Sequence, residues 1–349
     1  MWKRKRVNLL MKRCLSARWI VAILAGFGLL TGCGSPHMSA LDPKGPVGET
    51  QLDLINLSTG IMTLVVIVVA AIYIYVVIKY RERPGDDKDE IPEQVAGSKK
   101  LEILWTTVPI ILLIILAVPT ISTTFRGTDR EPEPGTLRIN ATGYQYWFGF
   151  EYPDYQVSTA NEVHIPTGRK VEFLLAAHDV VHSFWVPSLG GKQDMNPGRT
   201  ERLILQADEP GLYEGECAEL CGASHATMRF RVIAHPPAEF EKWIASRKQP
   251  KSKPKTEQQK QGHKLIAQNC IGCHAIQGAG YDILGRTGPE LTGFSHRTRV
   301  AGALDNNREN LKKWLVNPQK IKPGNRMPGF DHLDDKQLDA MVEYLQTLK

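Results

Sequence analysis

Apolar residues run without a charged interruption along residues 54–78 and again along 103–125. Each run exceeds the roughly 20 residues a helix needs to cross a bilayer core. The pattern therefore predicts two membrane-spanning helices, the second carrying Pro109 and Pro119. A third apolar run, 19–30, is too short to span. From 136 to 234 the pattern changes to short β-rich runs at 137–152, 170–176, 202–205 and 228–233. Pro166-Thr167-Gly168, Pro197-Gly198 and Pro210-Gly211 punctuate them. Short strands between frequent turn signals predict an all-β sandwich or barrel. Residues 237–247 have a helical period, with Phe240, Trp243 and Ile244 on one face. The polar, proline-broken stretch 247–256 predicts a mobile linker. Helical patterns at 258–269 and 334–348 then predict an all-α domain.

Charge sharpens this outline. The 349 residues include 43 Lys and Arg against 37 Asp and Glu, for a net charge of +6. Seven of the basic groups fall within 1–32, which holds no acid, and the rest of the chain stands at −1. The basic balance therefore gives no support to a nucleic-acid partner. A basic leader before a short apolar run reads as a secretory signal peptide. Its ending, Leu30-Thr31-Gly32-Cys33, resembles a bacterial lipobox, which implies cleavage before Cys33 and acylation of that residue. Cys14 would leave with the leader, and either Met1 or Met11 serves as a start. Between the spans, Lys79, Arg81, Arg83, Lys88, Lys99 and Lys100 mark the inner loop. The organisation is a signal peptide 1–32, an exterior segment 33–52, a hairpin 53–125, a β domain 126–246, a linker 247–256 and a helical domain 257–349. Glu102, at the inner end of the second span, suits a helix N-terminus by position, ahead of the mouth of a proton path.

The remaining four cysteines carry the chemistry. Cys217-Ala-Glu-Leu-Cys221-Gly-Ala-Ser-His225-Ala-Thr-Met228, with His182 earlier, supplies two thiols, two imidazoles and a thioether. That soft set suits copper. Zinc is the alternative, since two Cys and two His complete its tetrahedron, but the thioether and the three-residue gap between the thiols argue for a small copper cluster. Cys270-Ile-Gly-Cys273-His274 is the attachment pattern for c-type haem, with His274 as an axial ligand. Met327 is available as the second axial ligand, whereas Met341 sits mid-helix and packs.

Gly143-Tyr-Gln-Tyr-Trp147, His182-Ser-Phe-Trp-Val-Pro-Ser-Leu189 and Cys217 to Met228 resemble subunit II of haem–copper cytochrome c oxidases. The resemblance covers about residues 50–246. Residues 257–349 resemble a small class I cytochrome c, with Gly288-Pro289-Glu-Leu291 as the loop supporting the proximal histidine and Trp314 near the haem edge. Together they imply a caa-type oxidase subunit: a cupredoxin-like sandwich with a dinuclear CuA centre and a fused haem c donor. Cys217 and Cys221 would bridge the coppers, with His182, His225, Met228 and the Glu219 carbonyl completing the set. The Glu219 side chain would reach a magnesium ion at the boundary with subunit I, and Glu102 would open a proton path. Tyr146 and Trp147 are the candidates for electron input, in a run that departs from the family's usual Trp-Tyr-Trp. His164 and His178 read as ordinary surface or loop histidines.

The implied function is electron relay to subunit I for reduction of oxygen coupled to proton pumping, at the outer face of a bacterial cell membrane. The implied partners are subunit I and other oxidase subunits, membrane lipid, and an external electron donor such as a membrane cytochrome or a cytochrome c reductase. Competing readings are a copper-delivery or copper-sensing lipoprotein, a nitrous-oxide reductase, a quinol oxidase subunit and a zinc-stabilised structural subunit. Residues 126–246 hold 11 basic and 17 acidic groups, and 247–349 hold 18 basic and 10 acidic. Opposite signs on tethered domains predict docking that weakens with salt.

Overall fold

A computed structural model describes residues 38–81, 94, 96–128, 133–250, 252–281 and 287–349; the leader and Cys33 lie outside the described residues. Helices α1 (Pro46–Tyr80) and α2 (Lys99–Thr128) form the hairpin and contain both uncharged runs. At 1.5 Å per residue, α1 is about 52 Å long, well beyond the bilayer core. Its first turn docks on the β domain. Lys44 N donates to Ser188 O at 2.7 Å, Gly48 N donates to Leu189 O at 3.2 Å, and Val47 packs on the sandwich core. The exterior segment expected at 33–52 thus gives way to helix at Pro46, a residue suited to a first turn whose N–H groups lack partners.

Ten strands form two facing sheets. One has the order β3-β2-β1-β5-β8, with β1 Leu137–Tyr144, β2 Trp147–Tyr152, β3 Val157–Ala160, β5 Val171–Ala177 and β8 Glu201–Leu205. The other has the order β4-β10-β9-β6-β7, with β4 Glu162–Pro166, β6 His182–Trp185, β7 Gln193–Met195, β9 Gly211–Cys217 and β10 Arg229–His235. Alternate side chains point inward, so that Leu137, Ile139 and Ala141 of β1 are buried. Phe148, Phe150, Phe173, Phe184 and Phe230 fill the space between the sheets.

Helix α3 (Pro237–Lys248) closes one end of the sandwich, where it corrects the reading of a histidine. His164 is buried, not a surface residue. Its ring stacks on Trp243 at 4.1 Å, its Nδ1 lies 2.7 Å from His235 Nε2, and its backbone N–H and C=O both bond the Tyr152 hydroxyl. His178 is exposed, as expected.

The C-terminal domain packs α4 (Glu257–Asn269) against α7 (Asp335–Leu345), with α5 (Arg308–Val316) and α6 (Pro318–Ile321) between them. A short pairing of β11 (Arg299–Val300) with β12 (Leu304–Asp305) departs from the all-α expectation. Met341 is fully buried in this core. The stretch expected as a mobile linker, 247–256, is tied down where it is described. Arg247 is buried and donates to Thr292 O at 2.7 Å, Ser252 O accepts from the Tyr344 hydroxyl at 2.9 Å, and Thr256 with Gln259 forms a capping box for α4. The C-terminal domain thus supplies the partners for this proline-broken stretch.

Burial, reinforced by the neighbouring His235, holds the His164 pKa well below its ordinary value of 6.5. The folded chain keeps this ring neutral while the unfolded chain takes up a proton, so stability falls as pH drops through 6.5. Melting of the full chain in detergent should therefore decline from pH 7 to pH 5, and His164→Phe should flatten that decline. A parent curve already flat over this range would contradict the assignment.

Candidate metal and haem sites

Three adjacent strands bring the soft donors together. His182 opens β6, Cys217 ends β9, and Met228 immediately precedes β10. Phe184 pairs with Cys217 across β6 and β9, while Cys217 N donates to Met228 O at 3.0 Å. The intervening loop turns through a short 3-10 segment, His225–Thr227, which returns His225 to the cluster. Cys217 Sγ lies 3.9 Å from Cys221 Sγ, 3.8 Å from His182 Nδ1 and 3.2 Å from Glu219 O. Cys221 Sγ lies 3.7 Å from both His225 Nδ1 and Met228 Sδ. Six soft or carbonyl donors this close together fit a copper centre. The Glu219 side chain points out and is exposed.

The electrostatics reflect how closely these donors sit to one another. The contact between the thiols acts unequally: it holds Cys217 well below the ordinary thiol value and pushes Cys221 up. Burial alone would lower His182, but Cys217 and Asp179 outweigh it and hold its pKa above the ordinary value. Asp179 is a partner that motif reading missed. Its Oδ1 accepts from His182 Nε2 at 2.8 Å, which fixes the tautomer and aims Nδ1 at the sulfurs. Its Oδ2 accepts from Gln145 N at 2.8 Å, and Gln145 Nε2 donates to Cys221 O at 2.7 Å. An acid three residues before a ligand histidine was the available signal.

A cavity of about 470 Å³ lies between the sandwich and the helical domain. Cys270, Cys273, His274, Trp314 and Met327 line one side; Tyr144, Tyr146, Trp147 and His178 line the other. His274 Nδ1 donates to Pro289 O at 2.7 Å, leaving Nε2 free to bind a metal. Burial lowers the His274 pKa, which favours the neutral imidazole that ligation requires. Gly288 permits the close support, since a Cβ there would sit 2.7 Å from His274 Cε1. Two thiols, a free imidazole nitrogen and a thioether around one apolar cavity fit covalently attached haem.

The cavity and the copper loop share a wall. Tyr146 is 6% exposed, and its hydroxyl accepts from Ala223 N at 3.0 Å, two residues beyond Cys221. Trp147 stacks on Tyr144 at 4.2 Å instead. Glu162, 2% exposed, accepts from Thr298 N at 2.8 Å, Thr298 Oγ1 at 2.5 Å and Arg299 N at 3.2 Å. Among the described residues, Arg299 with Glu214 at 3.3 Å is the one ion pair that joins the two domains. The opposite domain charges noted in the sequence therefore contribute little at the seam itself. Glu102 stands apart from both sites, exposed in the first turn of α2.

Comparisons with known proteins cover the same three regions. The family model described as cytochrome C oxidase subunit II, transmembrane domain, matches residues 38–123; that for the periplasmic domain of the same subunit matches 156–234; and that for cytochrome c matches 259–349. A protein named cytochrome c oxidase subunit 2 from Alkalihalophilus pseudofirmus is 46% identical over 326 residues, 92% of this chain and 94% of the relative. One of the same name from Bacillus subtilis is 43% identical over 337 residues, again 92% and 94%. A quinol oxidase subunit 2 from Bacillus subtilis is 34% identical over 260 residues, 74% of this chain and 80% of the relative.

Replacing Asp179 by Asn removes the carboxylate on His182 without changing size. Copper affinity should fall by roughly 10- to 100-fold, with the fold retained by circular dichroism. Parental affinity would show that Asp179 does not orient the ligand.

Proposed function

We propose the residues of an electron relay on one premise: the chain belongs to the cytochrome c oxidase subunit II family, with a cytochrome c domain fused behind its periplasmic domain. It is a membrane-anchored component of an oxidoreductase complex that associates with other oxidase subunits and passes electrons towards subunit I. A copper-delivery role has no use for the attached cytochrome. Likewise, the haem motif in a segment matched as cytochrome c favours a cytochrome route over a quinol one.

Bound haem c and the bound copper pair supply one-electron redox chemistry, and the residues of the chain hold, orient and insulate them. Cys217, Cys221, His182, His225, Met228 and the Glu219 carbonyl would hold the copper pair. Cys270 and Cys273 would anchor the haem, and His274 and Met327 would bind its iron. Asp179 and Pro289 each take the outer N–H of a ligand histidine, which raises its basicity and stops rotation. The phenylalanine-rich core beneath the copper loop keeps water from the sulfurs, lowering the reorganisation that accompanies a change of charge.

The observation that carries the route is the double attachment of Tyr146, whose ring lines the haem cavity and whose hydroxyl bonds the copper loop. Tyr146 is therefore the electron-input residue, and Trp147 packs beside it on Tyr144. Further parts of this reading are a magnesium ion on the exposed Glu219 carboxylate, a proton path opening at Glu102 and serving proton translocation, and a lipid on Cys33 after signal-peptide removal. The external donor is a membrane cytochrome or a cytochrome c reductase.

In the full, loaded chain, Tyr146→Leu should slow transfer from haem to copper by roughly tenfold or more while both optical spectra stay unchanged. Trp147→Leu should remain close to the parent. The reverse pattern, measured by flash photoreduction, would move the route to Trp147.

A further inference from the structure

The route through Tyr146 uses its ring and hydroxyl, but its backbone is also engaged. The Tyr146 carbonyl, between β1 and β2, accepts from Lys322 Nζ at 2.8 Å, and the same ammonium donates to Ala301 O at 2.7 Å. One acceptor belongs to the sandwich and the other to the haem-binding domain. Lys322 is 3% exposed, and among the described residues no carboxylate pairs with it. Burying an ammonium costs more than burying an apolar chain of equal length. Burial pulls its pKa down to about 7. Core stability therefore does not account for a lysine here, whereas two directional bonds that join two domains do.

The next two residues extend the grip. The Ser224 hydroxyl donates to Pro323 O at 2.7 Å. Gly324, at φ +79, lies against Tyr146; a Cβ there would stand 3.2 Å from the tyrosine Oη and 3.7 Å from Ala223 Cβ. Residues 322–324 thus lie across Tyr146 and the loop that carries His225, and both Lys322 and Tyr146 line the haem cavity.

We propose that Lys322 is a positioning residue for electron transfer within the chain: its ammonium fastens the Tyr146 loop to the haem-binding domain and holds the two cofactor sites at one separation. This rests on the relay reading above. The step it serves moves one electron from reduced haem to the oxidised copper pair, with no bond made or broken and no proton moved. Because the fastening is a buried pair of hydrogen bonds, the separation is insensitive to ionic strength.

The test uses the full chain, loaded with haem and copper, in detergent. Lys322→Met keeps length and burial but removes every donor. It should slow internal transfer after flash reduction of the haem by roughly tenfold. It should also speed hydrogen exchange at the Ala223 and Thr298 amides, with both midpoint potentials unchanged. Lys322→Gln, shorter but still a donor, should fall between. In the parent, the rate should stay flat from low to high salt. A methionine variant with parental rate and parental exchange overturns the proposal. So does a parental rate that falls steeply with salt, an observation that needs no variant to assemble. A parent with both cofactors bound but no internal transfer would instead defeat the relay reading, and the proposal with it.

Discussion

The loop of Gln145 and Tyr146 is the constraint on which both sites depend. Gln145 bonds Cys221 O through its side chain and Asp179 through its N–H, so it fixes one sulfur loop and, through Asp179, the His182 ring. Tyr146 then bonds Ala223 N through its hydroxyl and receives Lys322 through its carbonyl. These two residues are held by hydrogen bonds on every side. Because Cys221 and Lys322 are buried and Asp179 half-buried, breaking one of their bonds leaves a polar group without a ready substitute. The donor geometry and the haem wall are consequently one network.

The membrane anchor meets the same sandwich just beyond strand β6. Helix α1 begins against Ser188 and Leu189, just beyond the strand β6 that His182 opens. The helix that crosses the bilayer is in this way continuous with the scaffold of a ligand histidine. Such rigidity suits a chain that passes electrons across a boundary with another subunit, since transfer depends steeply on distance and little on chemistry.

Local signals in the sequence revealed the spans and the sandwich, and singled out the side chains that the fold brings together. Uninterrupted apolar runs, strand-and-turn alternation, and ligand types at fixed spacing all lie within short windows. What stayed hidden depends on contacts between distant segments. Asp179 sat close to His182 but carried no motif. Lys322 and Glu162 carry no local signal because their partners come from another domain, and His164, read as a surface or loop residue, is covered by Trp243 of α3. The supposed linker failed for the same reason: composition reports the preference of a free chain, and Arg247, Ser252 and Thr256 are held by residues 25 to 92 positions away or by their own helix cap. Net charge misled in a related way, since domain totals say nothing about which charges reach the seam.

If one chain holds a copper pair and a covalent haem as neighbouring parts of a relay, metal analysis with low-temperature EPR of the purified full chain will show it. Two coppers per haem are expected, with one unpaired electron shared equally by both copper nuclei. One copper with an ordinary four-line signal, or zinc alone, would contradict it.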